Sequence, residues 1–119
     1  MTATAPGLHV DDTESALIQF IETTGKPGEG WDHPDHAFNA TGSLTRTAQA
    51  LSRAIENTGA LIGRLDLGDR LTHDHGQDSL NATTDEVRNL AKEAADQADE
   101  LARTLKHLEN ALIPLGLRA

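Results

Sequence analysis

Histidine and aspartate residues cluster at two places in the sequence, and both clusters contain groups that bind metal ions. The first cluster holds His33 and His36 between aspartates, and the second holds His73 and His75 on either side of Asp74. Imidazole nitrogens and carboxylate oxygens are ligands for zinc, nickel, copper and iron. The spacing matches no known zinc signature, so the alternative interpretation is that both clusters are solvated loop residues. The candidate metal ligands are therefore His33, His36, His73 and His75.

Other chemistries find little support in the sequence. The chain has no cysteine, which excludes thiolate catalysis and disulfide bonds, and no glycine pattern matches a phosphate-binding loop. Acidic residues are frequent between 85 and 109, but the Glu-x-x-His pattern of carboxylate-bridged di-iron proteins is absent. These acids are expected to form a solvated helix face. We therefore predict a non-enzymatic protein with no catalytic residues and no bound cofactor.

The charge of the chain limits its partners. Ten Lys and Arg residues stand against 19 Asp and Glu residues, which gives a formal net charge of -9. Nucleic acid and anionic membranes repel such a surface, so direct binding to either is not expected. With no recognisable targeting segment, the expected location is the cytoplasm. The same charge also fits a different hypothesis, an acidic regulator that mimics nucleic acid.

Two long segments show the periodicity of helices that pack along one stripe. In the first, the residues of the stripe recur at alternating intervals of four and three: Leu44, Ala48, Leu51, Ile55, Thr58, Ile62 and Leu65. The second continues the same alternation with Val87, Ala91, Ala94, Ala98, Leu101, Leu105, Leu108 and Leu112. This spacing predicts helices over about 40–66 and 79–113, joined by the polar turn 67–78. The first of them could begin at Ser43, or as early as His33 and Pro34, since proline is tolerated in a first turn. The fold class is therefore all-α, a long antiparallel helical hairpin.

A shorter helix is predicted before the hairpin. Residues 1–10 are predicted to be a disordered tail, and residues 11–119 a single helical domain. The apolar group Leu17, Ile18, Phe20 and Ile21 predicts a short helix over about 12–24. Because the last helix is expected to extend past the first long one, we predict that the short helix covers Leu105, Leu108 and Leu112.

The same pattern leads to an expectation about assembly and function. The residues expected to form the core or an interaction surface are Leu44, Leu51, Ile55, Ile62, Leu101, Leu105, Leu108 and Leu112. Burying each leucine or isoleucine stabilises the fold by roughly 1.5–3 kcal/mol, and a lone hairpin leaves many of them half buried. We therefore expect a homodimer that forms a four-helix type of bundle and binds another protein. The expected function is a protein–protein interaction or structural module, with metal binding through the histidines and nucleic-acid mimicry as alternatives.

Overall fold

The computed structural model describes residues 5–118, and this part of the chain consists of three α-helices without a strand. Helix α1 spans Pro6–Thr23, α2 spans Pro34–Leu67 and α3 spans Gln77–Leu112. Helices α2 and α3 pack as an antiparallel pair, with Gly42 against Glu109 at one end and Gly63 against Arg88 at the other. The prediction of an all-α hairpin preceded by a shorter helix is confirmed.

Helix α2 begins earlier than its hydrophobic pattern suggests. His33 caps the helix and Pro34 occupies its first turn, where a proline lacks only a hydrogen bond that no first-turn residue can make. The start therefore lies six residues before residue 40, at the earliest of the positions that the sequence allowed. As a result, α2 extends alongside the last turns of α3, where Leu105 and Leu112 are partly buried.

Helix α1 also begins earlier than predicted. Pro6 opens the helix, so residues 6–10 are helical and the prediction of a disordered tail is wrong for them. Residues 1–4 of that tail lie outside the described part of the chain. At the other end, the hydroxyl of Thr24 donates a 2.6 Å hydrogen bond to the carbonyl of Phe20, and the glycine-containing turn follows.

The position of α1 differs from the predicted one. No Cα atom of α1 lies within 8 Å of a Cα atom of α2 or α3. Instead α1 runs beside the N-terminal half of α2, where Leu17 and Phe20 line an open groove with Leu44. The ring of Phe20 meets that of Trp31 edge to face at 5.5 Å. The prediction that α1 covers the leucines at the end of α3 is therefore wrong, because the longer α2 already lies there.

Small residues form the contact between α2 and α3, which we call the seam. The small seam residues are Thr41, Gly42, Thr45, Ala48, Ser52 and Gly59 on α2, and Thr84, Ala91, Ala95, Ala98 and Ala102 on α3. The larger Leu80, near the start of α3, is also buried. Short side chains let the two backbones approach closely. A Cβ atom added at Gly59 would lie only 2.9 Å from the Cβ of Ala91. Gly59, which the hydrophobic pattern placed beside the seam, is therefore part of it.

The expected core leucines are distributed differently. Ile55 and Ile62 follow Ala48 at sevenfold spacing, and Leu105 and Leu112 follow Ala98 in the same way, so these four lie in the seam and are partly buried there. Leu44 is partly buried beside α1. Leu51, Leu101 and Leu108, however, are about half exposed, contrary to a role in the core. These three leucines lie in the columns beside the seam, and the close packing of small residues such as Ala48 and Ala98 leaves them outside the contact.

The molecule is long and exposes much surface for its mass. It measures 68 × 35 × 24 Å, and its radius of gyration is 19.7 Å, whereas a compact domain of this length has about 13.5 Å. Its accessible surface is 9336 Å², against roughly 6,200 Å² for a compact monomer of 12.7 kDa. No helix in residues 5–118 has the length and apolar character needed to cross a membrane.

Candidate interaction face and the histidine clusters

Charged residues gather on one side of the hairpin. A groove between α2 and α3 is lined by Glu56, Arg88, Lys92 and Asp96. A second groove on the same side is lined by Gln49, Asp99, Arg103 and Lys106. Lys92 and Asp96 form an ion pair at 3.1 Å, one helical turn apart. We call this side the charged face.

The opposite side of the hairpin has no charged residue in the columns that flank the seam. Residues seven apart in sequence lie in one column along a helix that packs against a partner. The columns on one side of the seam line the charged grooves, so the columns on the other side of the seam face away from those grooves. On α2 one column holds Leu44, Leu51, Thr58 and Leu65, and the next holds Ala40, Thr47, Ala54 and Leu61. On α3 one column holds Val87, Ala94, Leu101 and Leu108, and the next holds Thr83, Leu90, Gln97, Thr104 and Ala111. We call this surface the uncharged face.

Five leucines dominate the exposed area of the uncharged face. Leu51, Leu61, Leu90, Leu101 and Leu108 are each between 46% and 54% exposed. From Ala40 to Leu65 the face is about 38 Å long, and two helices side by side make it about 20 Å wide, or roughly 760 Å². The largest apolar patch of a typical monomer covers about 300–600 Å², and each partner of a standard interface contributes about 800 Å². The face therefore has the size of an interface.

Helix α1 extends this surface at the N-terminal end of α2. The groove between α1 and α2 is lined by Thr13, Ala16, Leu17, Phe20, Ala40, Ser43, Leu44 and Thr47. None of these residues is charged, so the uncharged area continues from the hairpin onto α1. The attachment of α1 depends mainly on its last turn, where Phe20 meets Trp31 and the chain turns back through mutual backbone hydrogen bonds between Gly28 and Trp31.

The two long edges of the uncharged face differ in charge. Along the outer edge of α3, one residue before each position of the column that holds Val87, lie Glu86, Glu93, Glu100 and His107. The corresponding edge of α2 carries Ser43, Ala50, Asn57 and Arg64. One edge is therefore acidic, while the other is neutral with a single positive charge.

The first histidine cluster has a structural role at the start of α2. The Nδ1 atom of His33 accepts a 3.0 Å hydrogen bond from the backbone N–H of Asp35. The Nδ1 atom of His36 accepts from the N–H groups of Asp32, at 3.1 Å, and His33, at 3.2 Å. Together the two side chains form a reciprocal capping box, the arrangement usually made by Ser or Thr with Glu. One ring nitrogen of each histidine is thus occupied by the backbone.

The second histidine cluster lies at the other end of the hairpin. His73 accepts a 3.0 Å hydrogen bond from the N–H of His75 through Nδ1, and their ring centres are 5.6 Å apart. The 34 residues of α2 separate the two clusters by about 50 Å. Within residues 5–118, no group of three or more His, Asp or Glu side chains is arranged to hold a metal ion. The structure therefore does not bring the four predicted ligands together.

Comparison with known proteins finds no matching family, no matching curated protein and no matching solved structure. The fold and its surfaces are therefore the basis for a functional assignment. The sequence pattern assigned Leu51, Leu101 and Leu108 to the core or an interaction surface. It did not separate the uncharged face from the seam, although the signal was present: adjacent columns at sevenfold spacing that contain no charged residue on either helix.

Proposed function

We propose that this chain is a non-enzymatic protein–protein interaction module whose working surface is the uncharged face. The observation that carries the proposal is the absence of charge from the columns that flank one side of the seam, in a chain with a net charge of -9. Charged residues are common at exposed helix positions, and here they occupy the other side of the same two helices.

The energetics support a partner that covers the whole face. Burying a leucine that is already half covered contributes about 1 kcal/mol, so the five exposed leucines contribute roughly 5 kcal/mol, and a partner of similar character adds as much. Association costs about 4–15 kcal/mol in lost translational and rotational freedom. A partner that covered only one or two leucines would not bind, whereas one that covers the full length can.

The shape of the face indicates the kind of partner. Side chains at sevenfold spacing on two parallel axes form ridges and grooves into which the ridges of other helices fit. A partner that presents one or two amphipathic helices along the 38 Å length therefore matches this surface. At 1.5 Å per residue, such a helix has about 25 residues. The charged face would remain in water in such a complex.

A position-specific cross-linking experiment in the native host tests this proposal. A photo-reactive amino acid replaces Leu101 on the uncharged face and, in a matched control, Gln49 on the charged face. We expect discrete protein adducts from position 101, identifiable by mass spectrometry, and none above background from position 49. The proposal would be refuted if position 101 gave no protein adduct, or if both positions gave the same ones.

A further inference from the structure

We propose that the occupant of the uncharged face is a second copy of this chain, which pairs face to face to form an antiparallel four-helix bundle. This inference rests on the proposed function and names its partner. Three observations carry it: the size of the face, the charge of its edges, and the heights at which its leucines lie along the hairpin.

The size of the face matches that of a self-complementary interface. Each copy offers roughly 760 Å², which is close to the 800 Å² or so that each partner of a standard interface buries. A second acidic copy would normally be repelled. Here the surface that meets it has no charge, and most of the acidic residues remain outside the contact.

The edges of the face select one of two symmetric arrangements. A twofold axis perpendicular to the helices would set α3 on the second copy's α3, with the acidic edge of Glu86, Glu93 and Glu100 beside itself. An axis parallel to the helices sets α3 on the second copy's α2, so that the acidic edge meets the neutral one. Since like charges in close juxtaposition are unfavourable, the parallel axis is favoured.

The levels of the residues agree with this arrangement. The contact between Gly59 and Ala91 and that between Gly63 and Arg88 fix which residues of α2 and α3 lie at equal height. By this register Arg64 is level with Glu86, Leu61 with Leu90, and Leu51 lies within two residues of the level of Leu101. A parallel twofold axis preserves height. It therefore sets leucine opposite leucine and Arg64 opposite the second copy's Glu86.

Sedimentation of the purified full chain tests the pairing directly. At micromolar concentration we expect a species of twice the 12.7 kDa chain mass. Leu101→Glu places a charge in the face and should weaken pairing by at least about a hundredfold, which leaves a monomer. Gln49→Glu adds the same charge to the charged face and should remain dimeric. Circular dichroism checks that both variants keep their helices.

Two results would overturn the pairing. One is a wild-type chain that stays at 12.7 kDa at all concentrations up to about 100 µM, and the other is a dimer that Leu101→Glu leaves intact. A monomer whose position 101 still cross-links to a different protein in the host would refute self-pairing and leave the interaction module standing. A chain that stays monomeric and gives no protein adduct at position 101 would refute both proposals. The two experiments together therefore distinguish the failure of one proposal from the failure of the other.

Cysteine cross-linking tests the arrangement, because the sequence contains no cysteine of its own. Leu51→Cys chains are mixed with Leu101→Cys chains and treated with a short thiol-specific cross-linker. The parallel axis predicts efficient cross-links between the two kinds of chain. A mixture of Arg53→Cys and Arg103→Cys, on the opposite side, should give none. Cross-links no more frequent at 51 and 101 than in this control would contradict the proposed geometry.

Discussion

The seam and the uncharged face run side by side along the same two helices, yet they are built from different residues. The seam holds alanine, serine, threonine and glycine in tight contact, as Gly59 and Ala91 illustrate. The uncharged face holds leucines that remain about half exposed. In most small domains the largest apolar residues fill the core. Here most of the fully buried residues between the two helices are small, and five leucines beside them remain about half exposed.

Enlarging a seam residue should have the largest effect on the stability of the hairpin. Ala98 is 5% exposed, and a leucine there would need space that the backbones do not leave. We expect Ala98→Leu to lower the free energy of unfolding by about 3 kcal/mol, at the upper end for overpacking. Urea unfolding at one fixed chain concentration measures it, since association changes apparent stability.

A matched substitution on the charged face supplies the control. Ala60 is exposed beside a charged groove and outside the proposed interface, so Ala60→Leu adds the same atoms where there is space for them. The free energy of unfolding should change by less than about 0.5 kcal/mol. Equal losses for Ala98→Leu and Ala60→Leu would contradict the distinction between the seam and the exposed surface beside it.

Two glycines of α2 sharpen the comparison further, because only one of them faces a rigid neighbour. A Cβ at Gly59 would meet the Cβ of Ala91 at 2.9 Å, whereas a Cβ at Gly63 would meet the flexible guanidinium of Arg88 at 3.4 Å. Alanine gains about 1 kcal/mol over glycine in a helix. We expect Gly59→Ala to destabilise by roughly 1–2 kcal/mol despite that gain, since overpacking outweighs it.

The second glycine should respond in the opposite direction. Gly63→Ala should stabilise the chain by up to about 1 kcal/mol, because the arginine side chain can move aside and the helix gains its usual preference for alanine. Thermal or urea unfolding of both variants provides the measurement. A shift of the same sign in both would show that α2 and α3 are not as close at Gly59 as described.

The histidine cap at the start of α2 should have a smaller effect. His33→Ala removes the acceptor for the N–H of Asp35 and should cost about 1 kcal/mol, as for other N-cap losses. His73→Ala, in the loop, should cost less. Repeating both measurements with a chelator separates a cap from a metal ligand. A loss at His33 that disappears in the chelator would favour the metal hypothesis.

The smallest effect on overall stability is expected at the attachment of α1. Trp31→Ala removes the edge-to-face contact with Phe20, and the Cα atoms of α1 stay more than 8 Å from those of the hairpin. We expect hydrogen exchange in α1 to become markedly faster while the unfolding of α2 and α3 shifts by less than about 0.5 kcal/mol. A comparable loss of protection in α3 would contradict the claim that α1 is attached mainly through its last turn.

The sequence predicted the helices and the hairpin because alternating intervals of three and four residues are a strong local signal. It did not place the seam correctly. Leu51 and Ser52 are neighbours on the helix, and hydrophobicity alone favours the leucine for the core. The choice between the two columns depends on how close the backbones come, and that depends on Gly59 and Ala91 together, which are far apart in sequence.

The candidate site was also only partly predictable. The leucines were identified, but as residues of either the core or an interaction surface, and the sequence did not decide which of them belongs to which. The start of α2 at Pro34 was one of the positions that the sequence allowed. The hydrophobic pattern could not select it, because His33 is an unusual cap and its effect requires the reciprocal bond to His36. The position of α1 depends on contacts between Phe20 and Trp31 across a turn, which periodicity does not report.

Solvent access at the leucine methyl groups tests the central claim most directly. With methyl-labelled leucine and a soluble paramagnetic probe, NMR measures how closely water approaches each side chain. Leu51, Leu90 and Leu101 should be protected at high chain concentration, while Leu67, which is 86% exposed and lies outside the face, should stay fully accessible. Dilution or Leu101→Glu should restore access at Leu51 and Leu90. Equal access at Leu51, Leu90 and Leu67 at every concentration, with and without the native partner, would contradict the proposal that the uncharged face binds a protein.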